Sequence, residues 1–76
     1  MNNDELLRKS VDWLELESKK NKSRPQQFTP REVAEAVGGY TPAMGKVADQ
    51  IVTELRMRGC KCSYLKKNDK RFFRLL

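Results

Sequence analysis

Apolar positions fall at helical spacing in three blocks and then switch to a period of two. In the first block Leu7, Val11 and Leu14 share one face, with Ser10 and Ser18 beside them, and Leu6, Trp13 and Leu16 form a second row on the neighbouring face. This predicts a helix over residues 4–20. Asn2 or Asn3 is placed to cap it, and Asp4 and Glu5 suit its positive N-terminal end. The two rows span an apolar arc of roughly 200°, wider than the ~100° stripe that one core needs. The extra face of Leu6, Trp13 and Leu16 is therefore either covered by the wing or a terminus, or it is a self-association surface that makes a homodimer through the first helix.

The next two blocks lie between helix-start and helix-stop signals. Thr29-Pro30-Arg31-Glu32 opens a helix: Thr29 caps, Pro30 fits the first helical position, and Glu32 supplies the acid of a capping box. Phe28 and Val33 have the spacing of a hydrophobic staple. Gly38-Gly39 ends this helix, because glycine adopts the left-handed C-terminal conformation without a Cβ penalty. The predicted helix is 30–37, burying Val33, Ala34 and Val37. Thr41-Pro42 opens another over 42–58, stopped by Gly59, with Met44, Val47, Ala48, Ile51 and Leu55 on its core side. Pro42, Lys46, Asp49, Thr53 and Arg56 lie opposite, flanked by Ala43 and Gln50.

From Cys60 the alternation is that of strands, and Asn68-Asp69 marks a two-residue turn. A hairpin over 60–67 and 70–76 then pairs Lys67 with Lys70, Tyr64 with Phe73 and Cys62 with Leu75. One face carries Cys60, Cys62, Tyr64, Phe73 and Leu75. The other carries Lys61, Ser63, Leu65, Phe72 and Arg74. The tip is Lys66, Lys67, Lys70 and Arg71, a basic cluster that either reaches a phosphate backbone or blocks strand-to-strand aggregation. Gln26-Gln27-Phe28 reads as a short extended segment.

Seventy-six residues make a single domain, 1–76, with no room for a deep active-site cleft. No apolar run approaches the ~20 residues of a membrane span and the N-terminus is unlike a signal peptide, so a soluble cytoplasmic protein is expected. The formal charge of +6 is unevenly placed. Residues 1–18 hold five acids and two bases (net −3), and residues 19–31 hold five bases and no acid (net +5). Residues 32–54 hold four acids and one base (net −3), and residues 55–76 hold eight bases and one acid (net +7). Two concentrated basic blocks point to a polyanion such as nucleic acid. The two cysteines, with no histidine, are too few for a zinc site within this chain alone; they read as small buried thiols, with a metal shared between subunits or a redox pair as the alternative. No metal or cofactor is implied. With no histidine, no Gly-rich phosphate loop and no nucleophile–base pair at a suggestive spacing, an enzyme is not expected.

The order helix, extended segment, helix, helix, strand, strand resembles the winged helix-turn-helix family. The resemblance rests on TPREVAEAVGGYTPAMGKVADQIVTELRMRG followed by CKCSYLKKNDKRFFRLL and covers nearly the whole chain. It implies an α+β fold of three helices with a C-terminal β-hairpin wing and a short strand before the second helix. It also implies that the third helix enters the DNA major groove and the wing contacts the backbone or minor groove. On this chain Thr41, Ala43, Lys46 and Gln50 then lie toward the groove, and Lys66, Lys67, Lys70 and Arg71 are the wing contacts. Double-stranded DNA is the implied partner, and a bacterial or phage-type transcriptional regulator the implied role. The helix pair is acidic and Asp49 lies on its exposed side, so phosphate binding by the wing and the Lys19–Arg24 connector is favoured over base reading by the helix. The alternative is a winged-helix protein–protein interaction module or inhibitor that binds no nucleic acid, anchored by Leu65, Phe72, Trp13 or Leu16.

Overall fold

The computed structural model describes residues 1–20 and 25–76, so most of the basic connector expected to touch phosphates lies outside the described residues. The elements are α1 (Asn3–Ser18), β1 (Gln26–Phe28), α2 (Pro30–Val37), α3 (Thr41–Met57), β2 (Cys62–Lys67) and β3 (Lys70–Leu75). This is an α+β arrangement of three helices and one antiparallel sheet of order β1-β3-β2. One face of the sheet meets the helices.

Local chemistry sets most boundaries. The Asn2 side chain accepts a hydrogen bond from the Glu5 amide at 2.8 Å and starts α1 at Asn3. The helix ends at Ser18, earlier than the periodicity predicts, because the Lys19 and Lys20 amides close tighter turns onto Leu16 and Glu17. At α2 the capping box is complete: the Glu32 amide donates to Thr29 Oγ1 at 3.1 Å and the Thr29 amide to Glu32 Oε1 at 3.2 Å. Gly38 closes that helix in the left-handed region, at φ 75°. The next helix differs from expectation. Its N-cap is Tyr40, which makes no side-chain cap bond, and Thr41 is already helical. Pro42 tolerates this because an amide in the first turn has no helical acceptor to lose.

The core draws on every layer. Leu6, Val11 and Leu14 of α1 meet Val33 and Ala34 of α2, the apolar face of α3, and Cys62, Phe73 and Leu75 of the sheet. Val52 joins the five α3 residues expected there. The buried Ser10 hydroxyl is placed to donate to the Met44 sulfur at 3.8 Å.

The proposed self-association face does not survive intact. Leu6 is 2 % exposed and packs into the core beside Gly39, where any Cβ would overlap its Cδ1 atom. Trp13 is half-buried and meets Phe28 edge-on at a centroid distance of 5.0 Å, a contact worth about 1 kcal/mol. Of the three residues only Leu16 is open, at 60 % exposure. Of this second row, the strand before α2 covers Trp13, through Phe28, while Leu6 packs at the α2–α3 turn.

The hairpin starts later than the alternation predicts. The Cys60 amide donates to the Leu55 carbonyl and Gly59 has φ 86°, so Cys60 completes the exit from α3 and pairing begins at Cys62. Its other strand ends at Leu75, although the Leu76 amide still reaches the Lys61 carbonyl at 2.9 Å. Among the described residues, no helix is long and apolar enough to cross a membrane.

Candidate functional site

The hairpin register sets out the first group of candidate residues. Lys66 stands opposite Arg71 and Lys67 opposite Lys70, all four exposed. The turn between them puts both Asn68 (φ 53°) and Asp69 (φ 62°) in the left-handed region, the geometry of the tight turn that matches strand twist. Directly opposed like charges destabilise a strand pair by up to about 1 kcal/mol. Two such pairs follow one another here, Lys66 and Arg71 on the face of Tyr64 and Phe73 and Lys67 and Lys70 on the face of Leu65 and Phe72, and among the described residues no salt bridge involves any of the four.

Other cations are committed to the fold. Arg58 bonds Asp12 at 2.9 Å and lies 3.5 Å from Glu15, joining the end of α3 to α1. The Asp12 hydrogen bond raises the pKa of Arg58, outweighing an opposing loss of solvation, and the fields of Glu15, Asp12 and Glu54 add to it. Arg56 Nε donates to the Cys62 carbonyl at 3.0 Å and ties α3 to the outer edge of β2. Arg31 pairs with Glu35 at 3.1 Å along α2, and Lys20 with Glu17 at 3.1 Å on α1.

On α3 the candidate residues separate into two kinds. Lys46 and Gln50 are exposed on the outer face, one helical turn apart. Thr41 is half-buried, and Ala43 is half-buried against the core. Asp49 is exposed between them, and its carbonyl accepts the Thr53 hydroxyl at 2.9 Å. Two further features stand at this end of the helix. Tyr40 is 71 % exposed just before α3. Gly45 is exposed in the second turn, with nothing within 4 Å of a Cβ there. An exposed mid-helix glycine with no packing reason lowers stability by about 0.5–1 kcal/mol relative to alanine. It also leaves the backbone open to close approach.

A second surface feature lies at the base of the hairpin. β1 is only three residues long and pairs with Phe73–Leu75 before the chain turns into α2. The β2–β3 ladder continues beyond it to the tip, so β3 has no β1 neighbour from Lys70 to Phe72. The gap is an open groove of about 500 Å³. Gln27, Phe28 and the capping box of α2 form one wall, and Lys67, Lys70, Arg71 and Phe72 the other. No periodicity in the sequence marks this groove, because it comes from the unequal lengths of paired strands.

The cysteines form no comparable site. Cys62 is buried, and burial pushes its thiol up to about 11, outweighing the opposing field of Arg56; Cys60 adds a smaller upward effect. Cys60 is half-buried, with its sulfur 3.7 Å from the Ser18 hydroxyl. Both are free thiols. Among the described residues, no three Cys, Asp or Glu side chains converge as a metal ion needs.

Comparison with protein-family models, with curated protein sequences and with solved structures finds no match to this chain.

Proposed function

We propose that this chain is a small DNA-binding protein with a winged helix-turn-helix arrangement, acting as a transcriptional regulator of the bacterial or phage type. In this reading α2 and α3 are the helix-turn-helix and β2–β3 is the wing. Lys66, Lys67, Lys70 and Arg71 hold phosphates, while Lys46 and Gln50 lie along the groove. The observation that carries the reading is the pair of opposed like-charge pairs at the hairpin tip. They weaken the hairpin in isolation, and a polyanion laid across them turns that repulsion into binding energy. The low relief of α3 around Gly45, with Lys46 and Gln50 reaching beyond it, fits a backbone approaching closely.

The test is fluorescence anisotropy of labelled duplex DNA titrated with nuclease-treated protein at two salt concentrations, with a genomic fragment pool and a matched RNA alongside. Salt-sensitive binding that selects particular duplex fragments is the expected result. Four neutralised phosphates correspond to a slope of about −3.6 in log affinity against log salt. No binding to DNA or RNA at low salt would overturn the reading.

One observation favours a second reading, a protein-docking module. Leu65 remains 38 % exposed directly opposite half-buried Phe72, on the sheet face away from the core. Retention of one stoichiometric protein partner, with no nucleic acid, distinguishes this reading from the first.

A further inference from the structure

The groove between the hairpin and the start of α2 combines three kinds of chemistry in one place. Lys67, Lys70 and Arg71 supply cations from the hairpin side. Gln27 and Asn68 supply carboxamides, each with a donor and an acceptor for a base edge. Phe72 supplies an aromatic ring that the register turns away from the core, since its neighbour Phe73 is the buried one. Phe28 forms the opposing wall and is held in place by the edge of Trp13. The one carboxylate in the groove, that of Glu32, accepts the Thr29 amide in the capping box.

Cations alone suit any polyanion. An aromatic face with a carboxamide at each end of the groove has a narrower use. In a continuous duplex the faces of the bases are stacked on each other and cannot meet a side-chain ring. An unpaired nucleotide offers its face, its edge and its flanking phosphates together. We propose that this groove seats an unpaired nucleotide of a nucleic-acid strand. The base lies against Phe72, its edge meets Gln27 or Asn68, and the flanking phosphates rest on Lys67 and Lys70, which share the Phe72 face, with Arg71 reaching in from the other face. This rests on the nucleic-acid reading above and deepens it: the preferred target is a junction, where a duplex held by the wing passes into single strand.

The experiment compares three labelled probes on the full chain at fixed salt: a blunt duplex, the same duplex with a short oligothymidylate overhang, and oligothymidylate alone. The overhang probe is expected to bind roughly 5- to 150-fold more tightly than the blunt duplex, the range that stacking one base on an aromatic side chain supplies. Phe72→Leu retains an apolar side chain and is expected to abolish this preference while leaving blunt-duplex affinity unchanged. Gln27→Ala, on an exposed side chain outside the core, is expected to reduce the preference without altering thermal stability. Equal affinity for blunt and overhang duplexes in the wild-type chain overturns the groove assignment, and so does an undiminished preference in both variants. If blunt-duplex binding is salt-sensitive while the overhang adds nothing, the groove assignment alone fails. If none of the probes binds, the nucleic-acid reading fails with it.

Discussion

A Cβ placed at Gly39 would overlap the Leu6 Cδ1 atom, whereas one placed at Gly45 meets nothing within 4 Å. The same substitution therefore acts in opposite directions at the two sites. Gly39→Ala is expected to destabilise the chain by about 1–3 kcal/mol, because Leu6 sits in a filled core and has no room to yield. Gly45→Ala is expected to stabilise it by about 0.5–1 kcal/mol and to weaken DNA binding, if the helix backbone there lies close to its partner. Urea denaturation and anisotropy on the same samples check both; a Gly45→Ala variant that binds DNA more tightly contradicts the close approach. The Cys62 thiol gives a further test. It is held protonated to about pH 11, while an unfolded cysteine ionises near 8.5. Stability from this group is thus intact below about pH 8.5 and lost as pH rises through about 11. Wild-type melting temperatures are expected to fall more steeply over this range than those of Cys62→Ala. A parallel fall in both would show that the thiol is not the cause. At this scale the sequence identified which side chains are apolar, but not which ones end up covered. Leu6 and Trp13 read alike in the helical pattern, yet a turn glycine accommodates one and a distant phenylalanine covers the other.

The hairpin is the element whose local signals and final geometry agree most closely. The two-residue turn at Asn68-Asp69 predicts the register that forms, including Tyr64 opposite Phe73 and Cys62 opposite Leu75. Asp69 is a tolerable rather than ideal occupant of its left-handed position. Asp69→Gly is expected to stabilise the hairpin by about 0.5 kcal/mol, measured as a raised denaturation midpoint; a lowered midpoint would show that the aspartate side chain supports the turn. The ends of α1, α3 and β2 were less legible. A periodic pattern continues through residues that a cap or a closing turn removes from the element. Cys60 fits the alternation of a strand, but its amide is claimed by the Leu55 carbonyl. Thr41 looks like a cap, but Pro42 is tolerated one position deeper in the helix than the sequence implied. In each case a backbone hydrogen bond decided between two locally acceptable endings.

Across the whole molecule the charges divide by use. The acids of α1 take up Arg58 and Lys20, a carboxylate on α2 takes up Arg31, and a carbonyl takes up Arg56. The hairpin tip keeps its four cations exposed, in two opposed pairs on its two faces. The charge blocks were visible along the chain, whereas this division was not, because it depends on which helix end meets which neighbour. The groove was equally invisible, since residues of β1 and β3 form it across more than half the chain.

In the proposed reading the hairpin tip forgoes stability to hold phosphates, and a single variant tests both halves of that trade. Lys66→Glu/Lys70→Glu turns each opposed cation pair into an opposed ion pair without changing the turn. We would measure its urea denaturation and its DNA affinity as a function of salt, beside wild type. The expected result is a hairpin at least as stable, by up to about 1 kcal/mol for each pair, with weakened DNA binding and a much shallower salt slope. Unchanged affinity and slope in a folded variant would contradict the claim and leave the basic tip as edge protection alone.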